Sequence, residues 1–230
     1  MNETLIRNTA LDLSELSIRD VNQALKAAEA GEFEVLHPNG AHALACGLEQ
    51  PIQVAVQGHA GYYCAGMNKA AEIVIEGNAG TGVAENMMSG TVRVKGDVSQ
   101  SAGATAHGGL LIIEGDASAR CGISLKGADI VVGGSVGHMS AFMAQAGRMV
   151  VLGDAGEALG DSIYEARLYV RGKVASLGAD CIEKEMRDEH REELAELLNQ
   201  AGLDAEVSEF KRYGSARELY NFKIDNVDAY

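Results

Sequence analysis

A glycine recurs every 19 residues through more than half of this chain. The positions are Gly58, Gly77, Gly96, Gly115, Gly134, Gly153 and Gly172. A fixed period of this length is typical of repeat architectures, in which each unit packs mainly on its neighbours. Such a body is usually a scaffold, so any chemistry has to be sought on it or beside it.

Each repeat carries one short strand immediately before its glycine. β-Branched and other apolar residues alternate there at period 2, which predicts two inward-facing side chains in every strand. The predicted inward pairs are Val54/Val56, Ile73/Ile75, Val92/Val94, Leu111/Ile113, Ile130/Val132, Met149/Val151 and Leu168/Val170.

The residues after each glycine indicate tight corners. The next residue is polar in most repeats, as in Asn78, Asp97 and Asp116, and we expect its side chain to bond its own backbone. A small residue follows at position seven, where one stretch of backbone should pass close to another. These small residues are Ala65, Ala84, Gly103, Gly122, Ala141, Gly160 and Ala179.

Nineteen residues with one strand suit a single coil of a parallel β-helix, stacked at ~4.8 Å on the next coil. The predicted fold is all-β: a single-stranded, right-handed parallel β-helix of about seven coils, with flanking N- and C-terminal helices. One more coil is expected before these, because Val35 and Asn39 lie 19 residues before Val54 and Gly58.

Three segments follow from this pattern. Residues 1–50 form an N-terminal helix and lead-in segment, 51–179 the β-helix, and 180–230 a C-terminal helix and tail. Ser17 with Asp20 predicts a capped helix over residues 17–30. An apolar stripe with Gly202 as its stop predicts a second helix over residues 182–201. The basic and aromatic stretch 210–222 is expected either to cap the last coil or to dock as an arm.

Composition and motifs exclude several function classes. The net charge of −14 disfavours nucleic acid and anionic membrane surfaces as partners. No run of 18 apolar residues occurs, and residues 1–5 lack signal-peptide character, so a cytoplasmic location is expected. No phosphate-binding glycine motif is present. The cysteines, which form no Cys-x-x-Cys pair and predict no metal site, are Cys46, Cys64, Cys121 and Cys181.

No catalytic or cofactor-binding residue is predicted. Some β-helix proteins hydrolyse or cleave glycans with paired carboxylates, and Asp97/Asp116 and Asp161/Asp180 lie at matching positions of neighbouring coils. The absence of Trp and an aromatic content of 5% disfavour a sugar site. A free-standing glycan-active enzyme therefore remains only as an alternative.

The central residue of each strand should face outward, and this outward column is mostly apolar. It runs Ala55, Val74, Arg93, Ile112, Val131, Val150, Tyr169. A continuous apolar stripe implies a cover, which is either the helix over residues 182–201 or a partner subunit. We expect a partner for at least part of it. The candidate partner-facing stripe is Val74, Ile112, Val131, Val150 and Tyr169.

Residues 58–67 (GHAGYYCAGM), 76–80 (EGNAG) and 88–97 (MSGTVRVKGD) resemble the GXGXG family. That family forms the β-helix of the glutamate synthase large subunit and a subunit of formylmethanofuran dehydrogenase. Residues 177–185 (LGADCIEKE) and 211–217 (KRYGSAR) are more similar to one branch, the small β-helix subunit of N-methylglutamate synthase and its relatives.

The resemblance implies a non-catalytic structural subunit in methylamine and glutamate metabolism. It would hold an amidotransferase-like subunit and an FMN-containing synthase-like subunit in a hetero-oligomer. FMN would lie on a partner chain, and an iron–sulfur cluster there is left open. The alternatives are a subunit of plain glutamate synthase or of a formylmethanofuran dehydrogenase-type oxidoreductase.

Overall fold

The computed structural model describes residues 9–218. These residues form one eleven-stranded sheet, two α-helices and a short 3₁₀ helix at Val207–Glu209. The helices are α1 (Ile18–Ala27) and α2 (Asp188–Ala201). The strands are β1 (Thr9–Asp12), β2 (Glu32–Leu36), β3 (Gln53–Val56), β4 (Glu72–Ile75), β5 (Thr91–Val94), β6 (Leu110–Ile113), β7 (Lys126–Val132), β8 (Ala146–Val151), β9 (Arg167–Val170), β10 (Cys181–Lys184) and β11 (Lys211–Ser215).

Strands β1 to β9 pair in chain order, and every pair is parallel. From β3 onward the register advances by 19 residues a coil, as in Gln53 opposite Glu72. The chain is therefore a β-solenoid of about seven turns, which confirms the predicted fold class. A second parallel ladder of single bridges runs through Ala60, Ala79, Val98, Ala117, Val136, Ala155 and Val174.

The predicted inward pairs fill the interior of the solenoid. All fourteen side chains are at most 2% exposed. Burying one such side chain stabilises the fold by roughly 1.5–3 kcal/mol. The period-2 pattern thus identifies the core correctly in every coil.

The phased glycines stack along one edge, but the reason is close packing rather than an unusual φ. The Gly115 N–H donates to the Gly96 carbonyl at 3.2 Å, and the series continues to Gly172. Of the seven, only Gly58 has a positive φ, at 136°. A Cβ on Gly115 would lie 2.8 Å from the Gly96 carbonyl oxygen and would also meet the Asp97 carboxylate. A side chain is excluded because the coils approach too closely there.

The polar residue after each glycine bonds the next coil, which corrects the expected local bonding. Asp97 Oδ1 accepts from the Asp116 N–H at 2.8 Å, and Asp116 Oδ1 accepts from the Ser135 N–H at 2.7 Å. The ladder begins at His59, whose Nδ1 accepts from the Asn78 N–H at 2.9 Å. It therefore satisfies one backbone donor in each coil of the stack, which a turn confined to one coil would leave unpaired.

Each coil has a second corner, about five to nine residues after the phased glycine, in which every other residue is left-handed. The sequence pattern did not predict this corner. In one coil the left-handed residues are Ser101 (φ 61°), Gly103 (φ 64°) and Thr105 (φ 53°). A left-handed conformation costs a non-glycine residue roughly 1–2 kcal/mol. The Ser101 N–H donates to the following coil at 3.0 Å and the Gly103 N–H to the preceding coil at 2.8 Å. Hydrogen bonds in both directions hold the strained corner in place.

The first coil is longer than predicted. Val35 pairs with Val56 rather than with Val54, an offset of 21 residues. The turn after β2 takes up the extra residues with positive φ at His37 and Asn39. A shift of two keeps the same face inward, so Val35 is still fully buried. Helix α1 has the predicted Ser17–Asp20 capping box and ends before Gly31, at Ala27.

The C-terminal end differs from the single helix predicted over residues 182–201. Cys181–Lys184 form strand β10, and α2 begins only at Asp188. Strand β11 lies between β9 and β10, antiparallel to both. As far as residue 218, the basic stretch therefore caps the last coil, which was one of the two expectations. The rest of this stretch lies outside the described residues, as do residues 1–5.

Candidate functional site

The outer face of the sheet is the candidate functional surface, and it is divided into two halves. In the C-terminal half, Ile112, Val131, Val150 and Tyr169 are at most 1% exposed. In the N-terminal half, Ala55 and Val74 stay partly exposed. We call these the covered half (β6–β9) and the open half (β2–β5).

Helix α2 supplies the cover. Its residues Leu194, Leu197, Leu198 and Ala201 form a buried cluster with the outward column and with Phe210. The expectation that a partner covers this part of the column was wrong. The chain's own helix fits because it begins after β10 and crosses back over β9 to β6. Of the candidate partner-facing stripe, only Val74 lies outside this cluster.

Polar contacts anchor the helix at its centre. Glu193 of α2 accepts a hydrogen bond from the Tyr169 hydroxyl at 2.5 Å and pairs with Arg167 at 2.7 Å. Arg148 lies 3.7 Å from the same carboxylate and binds Asp129 with two nitrogens, at 2.7 and 2.5 Å. Burial, together with the bond to Glu193, raises the pKa of the Tyr169 hydroxyl. The cluster therefore keeps its tyrosine protonated and its helix in register.

Arg93, the one charged residue of the outward column, marks the boundary between the halves. Its guanidinium donates to the Ala201 carbonyl at the end of α2, at 2.7 Å, and to Glu114 at 2.8 Å. Burial would raise the pKa of Glu114, but hydrogen bonds from Lys95 and Arg93 lower it below its ordinary value. A cation at a helix C-terminus complements the helix dipole. Its place in an apolar column was the sequence signal for this role.

The open half contains a shallow groove of about 180 Å³. Ala55 and Val74 are the outward apolar side chains that line it, and the polar side chains Glu32, Gln53 and Glu72 line it as well. The groove lies on the same face that α2 covers further along, and it presents two apolar side chains among acidic and amide side chains.

Exposed apolar side chains also concentrate in the N-terminal coils. Of the eight large apolar side chains exposed among residues 9–218, six precede residue 89. They are Leu16, Ile18, Tyr62, Tyr63, Met67 and Met88. Tyr62 and Met67 are 52% and 54% exposed. The six lie in or just before α1 and in the turns of the first coils, outside the strands of the open half.

The thiols lack the features of a reactive centre. Burial raises the pKa of both Cys121 and Cys181 to about 12, and it raises that of Cys64 as well. Cys46 donates to the Tyr63 carbonyl at 2.7 Å. All four cysteines are unpaired thiols, and burial keeps them protonated at neutral pH.

The carboxylate pairs considered for glycan chemistry hold backbone instead. Asp97 belongs to the ladder between coils, while Asp161 accepts from the Ala179 N–H at 3.1 Å. Asp180 accepts from the Ser215 hydroxyl at 2.5 Å. Within residues 9–218, no three His, Cys, Asp or Glu side chains lie together as metal ligands would. In the same part of the chain, neither helix has the length and apolarity needed to cross a bilayer.

Comparison with known proteins gives one informative relative. The chain is 60% identical over 225 residues to Protein GlxC of Rhizobium meliloti (strain 1021). The match covers 96% of this chain and 99% of that protein. No protein-family model matches the sequence. Identity at this level over nearly the full length of both proteins means that the chain belongs to the family of Protein GlxC.

Proposed function

We propose that this chain is a non-catalytic structural subunit of a glutamate synthase-like complex, of the N-methylglutamate synthase type. Its partners would be an amidotransferase-like chain and an FMN-containing synthase-like chain in the cytoplasm. FMN, and an iron–sulfur cluster if the complex has one, would belong to the partners. The complex would transfer a methylamine group to or from a glutamate skeleton.

The open half of the outer face is the observation that supports this proposal most. One face of a single sheet is closed by the chain's own helix over β6–β9 and left uncovered over β2–β5, where Ala55 and Val74 are its apolar outward residues. Meanwhile the buried thiols are protonated, and the carboxylates tested as catalytic pairs hold backbone N–H groups. A rigid body with a partly uncovered apolar face is suited to holding other chains.

Acidic margins indicate the chemistry of the surface that would bind there. Glu32, Glu34 and Glu72 lie on the same face as Ala55 and Val74, so a partner segment with apolar residues flanked by Lys or Arg would match it. Helix α2 illustrates the geometry, since its apolar stripe lies on the same kind of floor and its Glu193 meets the arginines Arg148 and Arg167. The partner helix would carry the opposite charges.

Co-purification tests the proposal. A tagged form of this chain, co-expressed with neighbouring amidotransferase and flavin-enzyme genes, should bring down both chains with a flavin spectrum. The chain purified alone should be colourless and inactive. A molybdenum or tungsten oxidoreductase as the partner would favour the formylmethanofuran-type alternative instead. Flavin that survives dialysis of the isolated chain would contradict the proposal.

A matched pair of variants locates the surface. Ala55→Lys with Val74→Lys adds two charges to the groove and should prevent assembly. Gln100→Lys with Gln145→Lys adds the same charge at two exposed positions away from the groove and should assemble normally. Equal assembly of both variants would place the partner surface on another face.

A further inference from the structure

A basic pocket lies where the antiparallel strands close the solenoid. Its volume is about 300 Å³, and it opens to solvent between β9, β10, β11 and the start of α2. One carboxylate lines it, that of Glu165, against five Arg or Lys side chains and a histidine. These are Arg167, Lys184, Arg187, Arg212, Arg217 and His190. In a chain with a net charge of −14, this is a local reversal of sign.

Three of the five cations are neutralised by neighbouring carboxylates. Arg167 pairs with Glu193 at 2.7 Å. Arg217 pairs with Glu165 at the rim, also at 2.7 Å. Arg187 pairs with Glu185 at 3.2 Å. Glu189 lies 3.7 Å from Arg187 and 3.6 Å from His190. Two cations of the pocket, Lys184 and Arg212, remain without a carboxylate among the residues that the structure describes.

Lys184 and Arg212 have no such partner. They lie directly opposite each other on β10 and β11, so their side chains share one face. Lys184 Nζ donates to the Ser215 carbonyl at 2.9 Å, and Arg212 Nε donates to the Glu185 carbonyl at 3.0 Å. Neither side chain forms an ion pair with any residue between 9 and 218. Like charges directly opposite on neighbouring strands repel, so an anion bound between them would stabilise this arrangement.

Burial is the main reason that the pKa values of Arg212 and His190 are lowered. The charges of Arg187 and Arg167 act in the same direction on Arg212, and Glu189 opposes the shift at both residues. Helix α2 begins at the pocket, and the N-terminus of a helix carries partial positive charge. Its first turn also contains Asp188 and Glu189, of which Asp188 pairs with Arg191 at 2.9 Å.

We propose that this pocket binds a small oxyanion, a carboxylate or a phosphate, between the Arg212 terminal nitrogens and Lys184 Nζ. The planar fork of arginine matches two oxygens of either group, and lysine supplies a point charge beside it. The pocket is at the low end of the size range of small-molecule sites, which suits a compact dianion. Such an anion would offset the repulsion between β10 and β11 and tie the capping strand to α2.

The test is ligand binding by the full chain. Inorganic phosphate and malonate are titrated separately by calorimetry and by melting temperature, with sodium chloride at matched ionic strength and with uncharged malonamide as controls. One of the two anions should bind and raise the melting temperature, and which one does so identifies the ligand chemistry. Chloride and malonamide should have no such effect.

Matched variants locate the site. Arg212→Gln and Lys184→Gln should each weaken Kd by at least about tenfold, the effect of losing a charge-assisted hydrogen bond. Arg212→Lys should recover part of the loss, and Arg19→Gln, an equal charge change on α1, should bind as the parent does. Melting without ligand confirms that each variant is folded. Absence of binding to both anions, or unchanged binding in Arg212→Gln and Lys184→Gln, would overturn the proposal.

Discussion

The two halves of the outer face are built on the same backbone and differ in what lies over them. In the covered half the outward residues are large and fully buried, as Ile112, Val131 and Val150 are. In the open half they are Glu34, Ala55 and Val74, which stay partly exposed, and Arg93 lies at the boundary. Helix α2 has 14 residues and spans about 21 Å, enough for four coils at ~4.8 Å each. The interior of the solenoid therefore follows the same pattern in every coil. The outer face differs from coil to coil, because the C-terminal helix covers only part of it.

The largest expected effect comes from placing charge under α2. Val131→Lys with Val150→Lys buries two unpaired charges in a site that is fully closed. We expect the isolated chain to lose more than about 4 kcal/mol of stability in urea unfolding, the range typical of uncompensated buried charge. Ala55→Lys with Val74→Lys should cost the isolated chain less than about 1 kcal/mol, because those positions reach solvent. Similar losses in the two variants would remove the distinction between the halves.

The next prediction concerns the stacked glycines, where substitutions should have similar effects in the two halves. A Cβ on Gly77 would lie 2.6 Å from His59 Nδ1, and one on Gly153 would lie 2.5 Å from Ser135 Oγ. Gly77→Ala and Gly153→Ala should therefore each cost roughly 1–3 kcal/mol through overpacking. Thermal unfolding of both variants measures this. An unchanged melting temperature in either would contradict the close approach between coils.

A smaller effect is expected at the boundary. Arg93→Gln removes the donor to the Ala201 carbonyl and the ion pair with Glu114. We expect a loss of about 1–2 kcal/mol, typical of a hydrogen bond that involves a charged group. Hydrogen exchange should become faster in the last turn of α2 and stay unchanged in β3 and β4. Lys126→Gln, an exposed charge change elsewhere, is the control.

The smallest effect is a pH dependence of α2. His190 is 8% exposed, its Nδ1 accepts the Arg187 N–H at 3.2 Å, and burial lowers its pKa from the ordinary 6.5. The unfolded chain therefore binds this proton at a higher pH than the folded chain does. Stability should fall as the pH decreases through and below 6.5, and be fully present above it. His190→Gln should flatten this part of the stability profile, and an unchanged profile in that variant would contradict the prediction.

Sequence patterns predicted the interior well and the exterior poorly, for physical reasons. Inward pairs such as Ile73/Ile75 follow the period of two along a strand, and the stacked glycines follow the close approach of the coils. The pattern of one coil therefore predicts the next. The sequence could not identify what covers the outward column, because an apolar column indicates a cover without showing whether it is α2 or a partner. Strand β11 was missed because its pairing partners β9 and β10 are distant in sequence. The ladder through Asp97 and Asp116 was misassigned because the same side chain can bond its own turn or the next coil.

The central claim is that the open half binds a partner while the covered half is closed by this chain itself. Hydrogen–deuterium exchange of the chain, alone and within its purified complex, tests it most directly. Assembly should slow exchange in β2–β5 and leave α2 and β6–β9 unchanged. Protection gained only over α2, with no change across β2–β5, would contradict the account.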